Sequence, residues 1–219
     1  MTKARTIRTR DPERTKNDIL AVASEEFAER GYSGARIDEI AARTSSTKRM
    51  IYYYFGGKEG LYVAVLERAY QEVRDAEREI DVAHSDPVTS IRLLAERSFD
   101  HHMAHQEFVK LVALENVNDA RFLSKIESLS SLGTPALDFV TQILERGWQA
   151  GVFRRDVTAL DVHLAISAYC VFPVASGRTF GHLFDIDLLS SESLIRMRSI
   201  IGDLIVQWLT EGTRAPAKA

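Results

Sequence analysis

Apolar residues recur at helical spacing along most of this 219-residue chain, and alternating strand-like runs are scarce. The apolar positions of the first such pattern are Ile19, Leu20, Ala23 and Phe27. Asp11 and Pro12 form a typical helix start in front of it, and Gly31 lies where a C-terminal stop is expected. The pattern therefore predicts a first helix between these signals.

Two short helices are predicted next. Ile37–Arg43 places Ile37, Ile40 and Ala41 on one face, and the polar residues 44–46 interrupt the pattern. Thr47 then provides a capping hydroxyl for a second short helix that reaches Phe55. Two short helices joined by a turn of this length indicate a helix-turn-helix, in which the second helix reads DNA.

The predicted reading helix is cationic at its start and rich in tyrosine. Cations and phenols of this kind suit contact with phosphates and base edges in a major groove. The DNA-binding residues predicted from this segment are Thr47, Lys48, Arg49, Tyr52, Tyr53, Tyr54 and Lys58, with Thr47 and Lys58 assigned to phosphates. Taken alone, the segment also fits an ordinary amphipathic helix with packed tyrosines.

Beyond Lys58 the pattern predicts further helices only. They cover about 59–80, 88–105, 108–117, 120–132, 134–151, 159–176 and 190–210. The predicted fold is all-α, with an N-terminal three-helix helix-turn-helix domain and a larger C-terminal helical domain for ligand binding and dimerisation. The predicted divisions are a flexible basic arm at 1–12, the DNA-binding domain at 13–58, the larger domain at 59–211 and a flexible tail at 212–219.

The charge is distributed unevenly along the chain. The net charge is −3, yet residues 1–60 hold 12 Lys/Arg against 9 Asp/Glu, and the remainder holds 16 against 22. Six of the cations precede position 17, so the arm could follow phosphates or enter a minor groove. A solubilising disordered terminus or an expression remnant explains the same composition.

Two of the C-terminal helices carry apolar stripes that are wide for a single small core. The stripe residues, predicted to form a dimer interface, are Leu137, Val140, Leu144, Trp148, Met197, Ile201, Leu204 and Trp208. A dimer would place two reading helices about one DNA turn apart, as a palindromic operator requires. Alternatively, both helices are covered within one chain.

Catalytic and metal-binding patterns are weak. His101 and His105 share a helical face with metal-ligand spacing, but no second ligand motif accompanies them and His102 faces elsewhere. Cys170 and His163 lie seven residues apart, roughly 10 Å along a helix, whereas a nucleophile and its base need about 3 Å. We therefore expect no enzyme, no metal and no cofactor.

The N-terminal pattern resembles a known family. Residues 13–66 are similar to the DNA-binding domain of the tetracycline-repressor family of bacterial transcription regulators. The residues that carry this resemblance are Ile19, Leu20, Ala23, Phe27, Gly31, Tyr32, Ile37, Ile40, Ala41, Lys48, Tyr52, Tyr53, Phe55, Lys58, Glu59 and Leu61. The chain departs from the family pattern at Ala35, Ser45, Ser46, Arg49 and Tyr54, which leaves the pose of the reading helix open.

The resemblance implies a homodimer with a four-helix interface and a pocket for a small metabolite among residues 61–180. Polar and aromatic groups set in apolar runs are the candidate ligand-binding residues: Glu115, Asn116, Tyr169, Phe172 and Arg178. A structural ion pair between Glu115 and Arg178, with the aromatic rings in the core, is the alternative.

The sequence thus predicts a ligand-responsive regulator, a repressor that binds double-stranded DNA as a homodimer and is released by a small molecule. A helical protein-interaction module with the tyrosine-rich helix as its anchor is the rival prediction. One cysteine, no signal-peptide pattern and no apolar run of about 18 residues lead us to expect a cytoplasmic protein without a membrane partner.

Overall fold

A computed structural model describes residues 11–78, 85–126 and 128–211. Within these ranges the regular structure is helical and contains no strand, which confirms the predicted all-α class. The ten helices are α1 (Pro12–Gly34), α2 (Ile37–Arg43), α3 (Lys48–Phe55), α4 (Lys58–Arg78), α5 (Pro87–Ala104), α6 (Gln106–Val117), α7 (Leu129–Gln149), α8 (Ala159–Ala175), α9 (Gly177–Phe184) and α10 (Ser191–Thr210).

The chain divides into two compact units, one up to Leu66 and the other from Glu67. The division falls inside α4, beyond the boundary predicted at 58. The predicted tail at 212–219 lies outside the described residues, as does the predicted arm at 1–12 apart from Asp11 and Pro12.

The first unit is a small helical core whose helix ends follow the sequence signals. The Asp11 carboxylate accepts the Glu13 backbone N–H at 3.1 Å, and Pro12 occupies the first turn. At Gly31 the backbone has a φ of 65° and interrupts the helical path, as the predicted stop required. The buried apolar side chains include Ile19, Ala23, Phe27, Ile40, Ile51, Leu61 and Tyr62.

The second unit is a helical bundle centred on α5. This helix packs against α7, α8 and α10, and α6 packs against α8. Asp86 caps α5 by accepting the N–H groups of Val88 and Thr89, both at 3.0 Å. The buried core residues include Ile91, Leu94, Phe99, Ile143, Leu144, Val162, Ile166, Ile201 and Ile205.

The prediction of separate helices at 120–132 and 134–151 was wrong, because most of the first is not α-helical and α7 runs through the predicted boundary between them. Asp119 and Ala120 have positive φ angles of 56° and 53°, so the chain turns there and continues into a single 3-10 turn at Leu123–Lys125. The following helix, α7, begins at Leu129 and contains Pro135. Pro135 therefore lies inside a helix and not at its start, and it removes one backbone hydrogen bond there.

The short helix α9 was not predicted either. It follows α8 after Ser176, where the helical geometry of α8 ends. No single helix in the described ranges meets the length and hydropathy needed to cross a membrane; α8 and α9 meet them only when taken together, with a bend of 70° between them.

Candidate nucleic-acid interface and effector cavity

Helix α3 buries one side chain and presents most of the others to solvent. Ile51 is fully buried, whereas Tyr53 is 82% exposed and Tyr52 is 49% exposed. Lys48 and Arg49 are exposed in the first turn. Burial of Ile51 fixes which face of this eight-residue helix meets solvent, so two cations and two phenols share an accessible surface.

Both ends of α3 are set by local chemistry. The Thr47 hydroxyl accepts the Met50 backbone N–H at 3.3 Å, which caps the helix start. Gly56 adopts a left-handed conformation with a φ of 74° and closes the helix end. The Thr47 hydroxyl, predicted for a phosphate, is therefore engaged in the cap.

Lys58 and Tyr54 are less accessible than the other predicted DNA contacts. The Lys58 ammonium donates to the Ser33 carbonyl at 3.3 Å and lies 5.0 Å from the centre of the Tyr32 ring. Burial lowers the pKa of Lys58. Tyr54 is half-buried, with its ring centroid 5.2 Å from that of Tyr53. Both side chains are therefore engaged by their neighbours.

Glu26 connects α1 to the segment that begins α2. Its side chain is 2% exposed and accepts the Arg36 backbone N–H at 3.3 Å. The guanidinium groups of Arg30 and Arg43 lie 3.3 and 3.7 Å from its carboxylate oxygens. A buried carboxylate is stable only with such partners, so this group fixes the entry to the helix-turn-helix.

The second unit encloses a cavity of about 220 Å³. It is lined by Tyr70, Val73, Arg74, Glu77, Leu94, Ser98, His102, Phe108, Val112, Ala136, Phe139, Val140, His163, Ile166, Ser167 and Val171. Most of the wall is apolar, and its few polar groups come from three helices. Such a combination is typical of a small-molecule site.

An ion pair and two imidazoles supply most of the polar wall. Arg74 Nη1 lies 2.5 Å from Glu77 Oε2, and both side chains are largely buried. His102 Nδ1 lies 2.7 Å from the Ser98 carbonyl oxygen. Burial lowers the pKa of His102 and of His163, and the nearby Arg74 lowers both further. The two rings are therefore neutral near pH 7.

The five ligand-binding residues predicted from the sequence are not among those that line this cavity. Glu115 is buried, and its carboxylate accepts the backbone N–H groups of Phe122 at 3.0 Å and Leu123 at 3.2 Å. Asn116, Phe172 and Arg178 are exposed, and Tyr169 is half-buried. Their assignment to a ligand stays a prediction. Sequence reasoning missed Arg74, His102 and His163.

The predicted dimer residues divide into buried and accessible ones. Val140, Leu144, Met197 and Ile201 are covered by the chain's own core. Leu137, Trp148 and Trp208 are half-buried, and Leu204 is exposed. A row of exposed side chains was missed on α8: Leu160, Leu164, Ala168 and Phe172. Their spacing of four residues is the signal that could have found them.

The two chemical alternatives considered for the histidines and the cysteine have little support in the geometry. Cys170 is fully buried, and burial raises the pKa of its thiol to about 12, unlike that of a reactive nucleophile. The rings of His101 and His105 stack with centroids 4.2 Å apart. In the part of the chain that the structure describes, no group of three His, Cys, Asp or Glu side chains is arranged to hold a metal ion.

Two family models match the chain. One, described as bacterial regulatory proteins of the tetR family, matches residues 19–65; the other, described as the tetracyclin repressor-like C-terminal domain, matches residues 87–205. The chain is 32% identical over 203 residues to the HTH-type transcriptional repressor NicS of Pseudomonas putida, which covers 93% of this chain and 96% of that protein.

Solved structures agree on the fold. A bacterial regulatory protein in the tetR family from Rhodococcus RHA1 superposes with a TM-score of 0.69 at 19% identity, over 89% of this chain and 96% of that one. The regulator FadR from Bacillus subtilis, solved with stearoyl-CoA, gives 0.64 at 21% identity, over 88% and 98%. With both family models placed in order along its helices, the chain belongs to the tetR family of DNA-binding transcriptional regulators.

Proposed function

We propose that this regulator is a homodimeric repressor whose α3 reads a palindromic operator and whose α5-centred unit binds a small effector that releases the DNA. The observation that carries the proposal is the exposure of Lys48, Arg49, Tyr52 and Tyr53 around the single buried anchor Ile51. The relative NicS is named a repressor, which supports repression and not activation as the effect on transcription.

On the DNA side, the roles divide by chemistry. Lys48 and Arg49 neutralise phosphates or donate to guanine, and the phenols of Tyr52 and Tyr53 contact base edges or phosphates. Tyr54 and Lys58 border this surface, and Thr47 orders the helix by capping it. A basic arm before position 12 would add phosphate contacts.

For the dimer, the exposed face of α8 offers apolar side chains that a second copy can cover, whereas the buried parts of the α7 and α10 stripes are already covered by the chain's own core. Leu160, Leu164, Ala168 and Phe172 form an apolar row on α8, and Ile195 and Leu204 are exposed apolar residues on α10. A two-fold axis would bring this row against its own copy and remove the apolar area from water. The dimer in turn presents two copies of α3, as an operator with two half-sites requires.

On the effector side, a single helix, α4, contains both residues that line the cavity and the residues that follow α3 in the chain. Tyr70, Val73, Arg74 and Glu77 line the cavity, and they lie on α4, which begins at Lys58. An effector that binds one arrangement of α4 better than another shifts the population of regulators able to hold the operator.

The proposal is tested with DNA that flanks the protein's own gene. We expect fluorescence anisotropy to show one dimer per palindromic site, with an affinity that falls steeply as salt increases, because several cations displace counterions from the DNA. Leu164→Asp, which places a charge on the α8 row, should yield monomers in analytical ultracentrifugation and weaken operator binding. A dimer unaffected by this change would contradict the assigned interface.

Salt dependence also separates this function from the rival protein-interaction module. An interface built on aromatic side chains loses little affinity between about 50 and 200 mM salt, whereas phosphate binding loses orders of magnitude. Binding to DNA that is indifferent to salt would therefore count against the operator role of α3.

A further inference from the structure

We infer that the cavity of the second unit selects an uncharged, ring-sized molecule that donates a hydrogen bond, from a hydroxyl or ring N–H, to Nε2 of His102. The inference deepens the proposed effector control and rests on it for its biological meaning. Ligand binding can nevertheless be measured without DNA, so the two claims can fail separately.

The size of the cavity limits the size of the ligand. Its volume of about 220 Å³ somewhat exceeds the roughly 150 Å³ of an engineered apolar cavity that binds benzene. The walls around this space include Leu94, Phe108, Phe139, Val140 and Ile166, so the body of a ligand meets aliphatic and aromatic carbon. One substituted ring fills such a space, and burial of its apolar surface provides most of the affinity.

The position of the hydrogen on the His102 ring limits which hydrogen-bonding group the ligand can carry. Its Nδ1 lies 2.7 Å from the Ser98 carbonyl oxygen, which can only accept, so Nδ1 carries a hydrogen. Because burial keeps the ring neutral, Nε2 then holds a lone pair and acts as an acceptor. Among the described residues the structure gives this nitrogen no hydrogen-bond partner.

His102 is also placed to use that lone pair on a ligand. The residue is 7% exposed and its ring lines the cavity. A second hollow beside the ring measures only about 10 Å³, about enough for one water molecule. In the described residues no buried side-chain nitrogen or oxygen lacks a hydrogen-bond partner, so the free Nε2 lone pair lies at an accessible surface, where a donor on the ligand can bind it.

The charged groups around the cavity limit the charge of the ligand. From α4, Arg74 and Glu77 face it as a closed ion pair, 2.5 Å apart, and burial keeps the Tyr70 phenol neutral by raising its pKa. From α5 comes neutral His102, and from α8 comes neutral His163. The walls from α6 and α7 are apolar side chains, although Asp138 of α7 lines a neighbouring hollow that shares the ion pair.

A charged ligand would disturb this balance. Burial raises the pKa of Glu77, while its contact with Arg74 opposes that shift and favours the carboxylate. An anionic ligand would lie close to the Glu77 carboxylate even if it reached the other N–H groups of Arg74, and a cationic ligand would lie close to the guanidinium. An uncharged donor leaves the pair intact.

The test compares phenol with three molecules of similar size at pH 8, using isothermal titration or ligand-observed NMR on the full-length protein. Toluene lacks the donor, benzoate carries a negative charge and benzylamine a positive one. We expect phenol to bind about tenfold more tightly than toluene, and both charged molecules to bind more weakly than phenol. Equal affinity for phenol and toluene, or tighter binding of benzoate, would overturn the inference.

His102→Phe removes the acceptor and keeps a ring of similar size. We expect the phenol-to-toluene ratio to fall to about one while toluene still binds, which shows that the cavity is intact. His182→Phe, at an exposed position of α9 outside the cavity, is the control and should retain the wild-type preference. His163→Phe tests the other imidazole of the cavity wall. A preference that survives in His102→Phe but is lost in His163→Phe would assign the acceptor to the wrong imidazole and contradict the inference.

Operator binding separates this inference from the proposed function. Phenol that binds in the cavity with the expected preference but leaves operator affinity unchanged upholds the ligand class and counts against the coupling. An operator response to benzoate or benzylamine that His102→Phe leaves unchanged would support effector control and overturn the ligand class.

Discussion

The ammonium nitrogen of Lys48 lies 3.0 Å from Oδ1 of Asp38, so an exposed ion pair joins the first residue of α3 to α2. Both side chains are more than half exposed, and such pairs contribute at most about 1 kcal/mol to stability. The pair instead holds the Lys48 cation at the start of the predicted reading helix, where a phosphate would compete with Asp38 for it.

Lys48→Ala should therefore weaken operator binding without unfolding the protein. We expect a roughly uniform loss across operator sequences and a decrease of about one in the salt slope, because one phosphate contact disappears. Anisotropy titrations at several salt concentrations measure both. Lys110→Ala, at an exposed position on α6, is the control and should leave the slope unchanged.

Thr47→Ala tests whether the hydroxyl orders α3. Loss of the cap to the Met50 N–H should lower the free energy of unfolding by about 1 kcal/mol, as for other capping threonines. Thr47→Ser keeps an acceptor and should stay close to the wild type in urea denaturation. If alanine weakens DNA binding but leaves stability unchanged, the hydroxyl acts on DNA and not as a cap.

Glu26→Ala should be among the most destabilising changes in the first unit. It leaves the Arg36 N–H without its acceptor and removes the buried carboxylate that pairs with Arg30 and Arg43, at a cost of about 1–3 kcal/mol. The adjacent Glu25 is exposed and also contacts Arg43, so Glu25→Ala is the matched control, with an expected loss below about 1 kcal/mol. Similar losses in the two variants would contradict the role assigned to Glu26.

Stability should decline in mild acid because of His101. Burial, followed by the nearby His105 and His102, lowers the pKa of His101 from 6.5 to about 4. The unfolded chain takes up a proton near pH 6.5 that the folded chain takes up only near pH 4, so the free energy of unfolding falls between these values. Urea denaturation at pH 7 and pH 4.5 measures the effect.

His101→Gln should reduce this dependence on pH, whereas the same change at His182, an exposed residue of α9, should not. A variant at position 101 that retains the full wild-type slope would show that other groups cause the decline.

The features predicted well from the sequence are those with local causes. Thr47 caps α3 and the helix ends at Phe55, as the sequence predicted, so one segment of chain specifies the limits of this helix. Pro12 likewise marked the start of α1, and Gly31 marked the point where its helical path is interrupted. Each signal acts within one or two helical turns, which is the range over which sequence patterns are informative.

The cavity could not be read from the sequence because its polar wall comes from separate helices. Arg74, His102 and His163 lie on α4, α5 and α8, and no local pattern connects them. The sequence pattern instead favours the polar groups beside Leu114, although Glu115 accepts a hydrogen bond from the turn that follows α6. That turn depends on left-handed residues at 119 and 120; aspartate is enriched in this conformation, but the alanine that follows is not, so the turn was not predicted.

The exposed row on α8 was not predicted, for a different reason. The helix is apolar on most sides, so its hydrophobic pattern does not distinguish the side chains in the core from those in solvent. Val162, Ile166 and Cys170 face the core, while Leu164 and Phe172 do not.

The central claim, that α3 reads the operator, is tested most directly by the operator affinity of Tyr53→Ala, measured by anisotropy beside its free energy of unfolding. Because Tyr53 is 82% exposed, we predict a change in stability within about 0.5 kcal/mol and a loss of DNA affinity of tenfold or more. Leu183→Ala, at a 76% exposed position in the other unit, should change neither quantity. Wild-type affinity for the operator in folded Tyr53→Ala would contradict the account.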